Sequence, residues 1–534
     1  MKSPTISLIL LLILPCSLAA PAAGDFLQCL STKFDNYSSI SNAVYTTRNS
    51  SYTSILESTI YNLRFDTEST PKPQVIITPE HESQIPPVIH CAKKAGLEVR
   101  IRSGGHDAEG LSYVSRVPFV VIDLIKLNEI TVDAAAKTAW VGAGATLGSL
   151  YYRIAEKSPV LAFPAGGCLT LGTGGHFGGG GYGLLMRKYG LAADNVIDAR
   201  IIDANGRILD KESMGEDLFW AIRGGGAASF GVVVAWKVRL VDIPEKVTVF
   251  RVDRTLEQNA TEIVHRWQYV APSIDKELFI DVMISRSSTT QSPTNRTVLV
   301  SFIALYLGGI DTLLPLMQRT FPELGLVRED CNETSWVEST LAINGFPIEN
   351  LQSLLNITQP KGYSKQKSNY VKKPMPKQGF EGIWQKFYKE EAKDGLMFLL
   401  QPYGGRMAEI SESAIPFPHR GGNLYLITHL INWGEESARD SESYVRWSRR
   451  IEDYLTPYVS RNPREVYLNY RDLDIGVNNV VGETSIKQAS VWGRKYFKNN
   501  FDRLVRVKTM VDPGNFFRNE QSIPPLRSKW KKGE

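Results

Sequence analysis

Gly166-Gly-Cys-Leu-Thr-Leu-Gly-Thr-Gly-Gly-His-Phe-Gly-Gly-Gly-Gly-Tyr-Gly183 is glycine at ten of its eighteen positions. A backbone so free of Cβ atoms can take positive φ and lie directly against a ligand. The stretch predicts main chain approaching something large and flat. It is not a Walker loop, because no Gly-Lys-Ser/Thr follows, and its glycines miss the dinucleotide spacing that opens a helix after a strand. A flexible linker would carry Ser or Asn between its glycines. Here Cys168, His176 and Tyr182 stand in the run instead.

Upstream, Arg102-Ser-Gly-Gly-His-Asp-Ala-Glu-Gly110 sets one histidine behind two glycines, after the strand-like run Leu97-Glu-Val-Arg-Ile101. Taken together, the two stretches resemble those of the plant berberine bridge enzyme-like flavoproteins of the vanillyl-alcohol oxidase superfamily, and several blocks are close to the cannabinoid acid synthases. The resemblance runs from about Asp25 to Pro525 and includes the closing Asn515-Phe-Phe-Arg-Asn-Glu-Gln-Ser-Ile-Pro-Pro525. It implies an α+β fold: a PCMH-type FAD-binding domain of two subdomains, a substrate domain on an antiparallel sheet, and a C-terminal segment that returns to the FAD domain. It also implies FAD held by two covalent bonds, from His106 to the flavin 8α-methyl and from Cys168 to flavin C6. Arg102, Ser103, Gly104, Gly105, Gly172, Gly174, Gly175, His176 and Gly181 are the expected cofactor contacts around them. No metal is expected.

Composition agrees with a small-molecule enzyme. The 534 residues, 43% hydrophobic, suffice for two or more domains with a sizeable core. Lys and Arg number 61 against 56 Asp and Glu, a net charge of +5, so the footprint of a nucleic-acid-binding protein is missing. Residues 1 to 23 combine Lys2, the apolar run Ile6 to Leu14 and small residues at 19, 20, 22 and 23, which predicts a signal peptide. The run is too short to span a bilayer, and no later window offers eighteen apolar residues, so no membrane contact is expected after cleavage. The expected product is a monomer in the secretory pathway, ending outside the cell, in the wall or in the vacuole. Six sequons, at Asn36, Asn49, Asn259, Asn295, Asn332 and Asn356, predict surface positions open to glycosylation. Cys29, Cys91 and Cys331 remain once Cys16 leaves with the signal and Cys168 is assigned to flavin, and an oxidising compartment favours one disulfide. The sequence alone allows all three pairings; the resemblance implies Cys29 with Cys91.

Along the chain, Gln74 to Thr78 reads as a buried strand and Gln84 to Ala95 as a helix ended by Gly96, which with the strand-like run from Leu97 makes a βαβ unit, and Phe119 to Asp123 reads as another strand. Asp203-Ala-Asn-Gly206 signals a hairpin turn. The first part of the FAD domain is placed at 24–243, the substrate domain at 244–471 and the returning segment at 472–534. Strand-like runs at Val247 to Val252, Leu278 to Ile284 and Thr297 to Ala304 build the second of these. Lys361 to Lys377, rich in Lys, Ser, Gln and Pro, reads as an exposed loop, and Arg527 to Lys532 as a solvated basic tail.

On the substrate side, Val466-Tyr-Leu-Asn-Tyr-Arg471 reads as an alternating strand with Tyr470 on one face and Tyr467 and Arg471 on the other. Tyr470 matches the position of a catalytic phenolate base in relatives, and Tyr182 is placed to orient a phenolic substrate. A free tyrosine titrates near 10, so such a base needs help from a cation. Relatives supply it from the strand matching Asn423 to Ile431, but the two positions concerned are Leu426 and Thr428. Apolar Leu426 would raise the tyrosine's pKa by desolvation. His429 alternates away from both. Leu171, three residues after Cys168, stands where oxidases of the family have Val, and its bulk would obstruct dioxygen. Arg286 is a candidate clamp for an anion or carbonyl.

Two functions follow. One is a secreted FAD-dependent oxidase or dehydrogenase of plant specialised metabolism that takes hydride from a phenolic or prenylated phenolic substrate, with dioxygen as final acceptor. The other is a Diels–Alderase on the same scaffold, joining a diene to a chalcone-type dienophile with FAD retained as structure. It would need no base and no electron acceptor, only two partners held in register, as Leu426, Thr428 and Leu171 suggest.

Overall fold

The computed structural model describes residues 19–34, 38–289, 292–388 and 395–526. The strands β1 (Val44–Thr46), β2 (Val75–Ile77), β3 (Glu98–Arg102) and β4 (Phe119–Asp123) form a sheet in the order β1-β2-β4-β3, with β2, β4 and β3 parallel. The helix Ile85–Ala95 carries β2 over to β3; prolines sit in its first turn, and Gly96 stops it at φ +67°. All of β4 is buried, as a parallel strand covered on both faces must be. The predicted βαβ unit is therefore present. A disulfide from Cys29, in the helix Ala19–Lys33, to Cys91 ties the N-terminal helix to this unit, and Cys331 is free.

Next come β5 (Ile130–Asp133), β6 (Thr138–Gly142), β7 (Leu161–Ala162), β8 (Val196–Ile202), β9 (Ile208–Leu209), β10 (Val232–Arg239) and β11 (Val241–Asp242). Five of them make an antiparallel sheet, β5-β6-β10-β8-β9, and β11 pairs with β7. The turn from β8 to β9 runs through Gly206 at φ +77°, at the predicted hairpin.

The third body is an antiparallel sheet of β12 (Val247–Thr255), β13 (Leu278–Thr289), β14 (Ser292–Tyr306), β15 (Cys331–Thr334), β16 (Tyr363–Val371), β17 (Leu396–Pro402) and β18 (Tyr425–Trp433). Its order is β15-β12-β14-β13-β17-β18-β16. Strand alternation sorts its two faces. On β13, Leu278, Ile280, Val282 and Ile284 are buried against Trp267, Phe380 and Trp447 of the covering helices. Phe279 and Asp281 turn to the other face, toward the glycine-rich stretch.

Two expectations need correction here. Lys361–Lys377 is not an exposed loop: most of it is β16, paired along its length with β18, and Lys365 and Lys367 are 3% and 2% exposed. Their ammonium groups are matched by carboxylates brought from other parts of the chain. Val466–Arg471 is not a strand either, and the Tyr470 N–H donates to the Tyr467 carbonyl at 3.0 Å across a turn. Val466 and Leu468 already pack in the core beneath β6 and β10, so the chain has left the large sheet for the β5–β11 body by then. No helix among the described residues is long and apolar enough to cross a membrane. The apolar run at 6–14 and the tail from 527 lie outside the described residues. Of the sequons, Asn49, Asn259, Asn332 and Asn356 are exposed, while Asn36 and the side chain of Asn295 fall outside them.

Candidate active site

A cavity of about 620 Å³ lies between the two smaller sheets and the free face of the large one. Its floor is the crossing of the two glycine motifs. A Cβ on Gly104 would stand 2.3 Å from the Gly172 nitrogen, and one on Gly172 would stand 2.2 Å from the Gly104 nitrogen. Only glycine permits this approach. Gly105, at φ +72°, is closed in by the Thr59 carbonyl, and the Ser103 hydroxyl donates to the Ala143 carbonyl at 2.6 Å. Gly174 and Gly175 also face the cavity, and nothing lies within 4 Å of where a Gly175 Cβ would be.

His106 and Cys168 meet at one hydroxyl. Thr170 Oγ1 lies 3.0 Å from His106 Nε2 and 3.5 Å from Cys168 Sγ, and it donates to Gln359 Oε1 at 2.9 Å. This contact occupies Nε2 and leaves Nδ1 outside it. Burial pushes the His106 pKa down to about 4, so the imidazole is neutral at ordinary pH. The Tyr61 ring, its centroid 4.5 Å away, holds it from behind. His176 is also neutral, pushed down to about 3 by burial, and its Nε2 accepts the Gly166 N–H at 2.9 Å. The proton therefore sits on Nδ1.

Two expected cofactor contacts serve the scaffold instead. Arg102 is fully buried and does not reach the cavity; it pairs with Asp123 at 2.6 Å and donates to the carbonyls of Leu56 and Ile55. Alternation along β3 turns it inward. The Gly181 N–H is taken by the Tyr467 hydroxyl at 3.0 Å, so this glycine positions a tyrosine.

The far wall carries three phenols. The hydroxyls of Tyr182 and Tyr470 are hydrogen-bonded to each other, and Tyr467 lies 5.3 Å from both rings, edge-on to Tyr470. Because the backbone turns, Tyr467 and Tyr470 are neighbours rather than on opposite faces. Burial raises all three pKa values, that of Tyr467 to about 12, so each keeps its proton. Arg471 gives Tyr470 no help, since it pairs with Asp107 at 3.1 Å. Leu426 packs in the same apolar cluster as the three tyrosines, and Thr428 lines the cavity on the same face of β18. His429 points the other way and bonds Ser448 at 3.0 Å. Leu171 borders the cavity beside Cys168. Arg286 faces away and donates to the Phe387 carbonyl, so it clamps no ligand in this cavity.

Sequence reasoning missed Asp281. It stands beside Gln401 in the sheet and opposite Ile303 on β14, with its side chain toward the cavity. Burial pushes its carboxyl up to about 7. The signal was legible in principle: it is the only charged residue in Leu278-Phe-Ile-Asp-Val-Met-Ile284.

The glycine floor of the cavity and the paired His106 and Cys168 beside it fit FAD. Residues 73–211 match the model described as FAD binding domain, and residues 466–524 match that described as berberine and berberine like. The chain is 54% identical over 522 residues to tetrahydroberberine oxidase of Berberis wilsoniae, covering 97% of each. Among solved structures, BBE-like 28 from Arabidopsis thaliana has a TM-score of 0.88 at 46% identity, over 94% of this chain and all of that one. A berberine bridge enzyme variant in complex with (S)-reticuline has a TM-score of 0.88 at 38% identity, over 94% and 99%.

Proposed function

The chain belongs to the berberine bridge enzyme-like family of FAD-linked oxidoreductases, and from that premise we propose that it oxidises a phenolic plant metabolite in the cavity between Cys168 and the tyrosine wall. The observation that carries this reading is the hydrogen-bonded Tyr182–Tyr470 pair, which shares one cavity with His106 and Cys168. Bound FAD supplies the hydride acceptor. The protein's own part is to seat the ring of the substrate against Tyr182 and Tyr470, which act as neutral donors backed by buried Leu426, and to keep water out with Leu171. His106 and Cys168 both bond the flavin; their common contact with Thr170 supports this. Export through the secretory pathway, to the wall or vacuole, is supported by the Cys29–Cys91 disulfide and by the four exposed sequons.

The apolar Leu426 beside Tyr470 favours the second reading, a Diels–Alderase using a chalcone-type dienophile. One experiment separates the two. The holoenzyme is mixed without oxygen with a panel of phenols, prenylated phenols and chalcones, while flavin absorbance and product mass are followed. Bleaching with a product two hydrogens lighter is expected. An unbleached flavin with a product whose mass is the sum of two substrates would replace oxidation by cycloaddition.

A further inference from the structure

Three covered polar atoms on the cavity side of the large sheet have no hydrogen-bond partner: Asp281 Oδ1, Gln401 Oε1 and Thr428 Oγ1. They come from the consecutive strands β13, β17 and β18. The register sets them close together, because Val282 pairs with Leu400, Gln401 with Leu426 and Leu399 with Thr428. Asp281 Oδ2 accepts from Gln401 Nε2 at 3.4 Å, and beyond that only the Val282 backbone N–H favours the charged carboxyl. A carboxylate withdrawn from water with so little in return is costly, and folds retain such groups where a ligand completes them.

What is missing is positive charge. The groups that face Asp281 are the phenols of Tyr182 and Tyr470, both influenced by its charge, the Gln401 amide and the Thr428 hydroxyl. All are neutral. Arg471 also lines the cavity and keeps one unpartnered nitrogen, Nη1, but its Nε is held by Asp107 at 3.1 Å and its charge is not among the influences on Asp281. When the carboxyl is ionised, a neutral phenol would donate one hydrogen bond and leave the charge unmatched. A protonated amine brings both the charge and the N–H, and the aromatic rings of Tyr182, Tyr467 and Tyr470 suit it further, since a cation is attracted to a ring face.

We propose that Asp281 is the specificity-determining residue of this cavity, anchoring a protonated amine of the substrate through its unpartnered Oδ1, so that the preferred substrate carries a basic nitrogen as well as an aromatic ring. This rests on the cavity being the substrate site. Gln401 then acts as a positioning residue that holds the carboxylate toward the ligand, and its own free Oε1 accepts a second polar hydrogen.

The test uses flavin-loaded protein and matched ligands: a phenolic N-methyl-tetrahydroisoquinoline and its isostere with carbon in place of nitrogen. Affinities are measured by calorimetry for the wild type, Asp281→Asn and Asp281→Glu. The wild type is expected to bind the amine about 30-fold more tightly than the isostere, the range of one desolvated cation–π and charge contact. Asp281→Asn is expected to remove that preference without changing the isostere's affinity, while Asp281→Glu keeps part of it. Equal affinities in the wild type, or a preference that survives in Asp281→Asn, would overturn the assignment. Unchanged melting and flavin spectra show that each variant is folded. Flavin absorbance in the same samples separates the two claims: Asp281-dependent binding without bleaching retains the anchor and removes the oxidation reading, and bleaching without amine preference does the reverse.

Discussion

The large sheet carries two polar sites, and they are opposites. At its edge, β16 holds Lys365 and Lys367, and every charge there is answered: Lys365 pairs with Glu109 and with Asp472 at 2.9 Å, Lys367 with Asp472 at 2.5 Å and with Asp474 at 2.7 Å, and Arg449 closes the set on Asp474 at 2.6 Å. At its centre, Asp281, Gln401 and Thr428 each leave an oxygen unanswered. The edge cluster draws together the FAD body, the sheet and the C-terminal segment, and nothing remains for a ligand to add. The central trio does the reverse. Polar groups that are matched within the chain hold the fold together; polar groups left unmatched on a cavity wall are available to a ligand.

The largest effect should come from breaking the matched site. Lys367→Met leaves buried Asp472 and the more exposed Asp474 with one cation fewer, and a buried pair broken on one side, as Lys367–Asp472 would be, costs about 3–5 kcal/mol. The expected outcome is a large fall in the denaturation midpoint, measured by chemical unfolding. A change below about 1 kcal/mol would mean that water already reaches the cluster.

Acid should act on the same site. Burial pushes the Asp472 and Asp474 carboxyls up, but the surrounding cations outweigh it and hold both below the ordinary aspartate value. Folded protein therefore binds fewer protons there than unfolded chain. Their contribution is complete above the unfolded value of about 4 and is lost as pH falls through the lower folded values. Stability followed by tryptophan fluorescence should decline below about pH 4, and less steeply in Lys367→Met than in the wild type. Equal slopes would uncouple the lysine from the two aspartates.

The smallest effect should have the opposite sign. Thr428→Val replaces an unpartnered buried hydroxyl by a methyl of similar shape, which should stabilise the ligand-free protein by about 1 kcal/mol. A loss of stability would show that the hydroxyl is satisfied within the fold and would move Thr428 from the open site to the closed one.

The same distinction explains what the sequence revealed. The two glycine motifs were legible because backbone contact between Gly104 and Gly172 tolerates no other residue, and chemistry-bearing His106 and Cys168 stand inside the motifs. The Cys29–Cys91 pairing came from resemblance and is present in the fold. Lys361–Lys377 misled because lysines, serines and a glutamine read as solvent-facing, while the carboxylates that bury Lys365 and Lys367 lie about a hundred residues later and some 250 earlier. Val466–Arg471 misled because alternation predicts a strand only where another strand is available to pair with it, and here the chain turns at Tyr467 to bring two phenols together. On β13 attention to basic side chains selected Arg286, on the wrong face, in place of Asp281.

The C-terminal return has a consequence for the order of events in the life of the protein. Tyr467, Asn469, Tyr470, Arg518 and Asn519 all line the cavity whose floor was laid by residues 103–106, and Asn478 and Glu520 lock that last lap in place through bonds to the Ser522 carbonyl and to Arg100. A polypeptide still growing on the ribosome has the floor but not the wall. Closure of the cavity therefore waits on the end of the chain, and a polypeptide cut before Tyr467 keeps the glycine floor but lacks this wall.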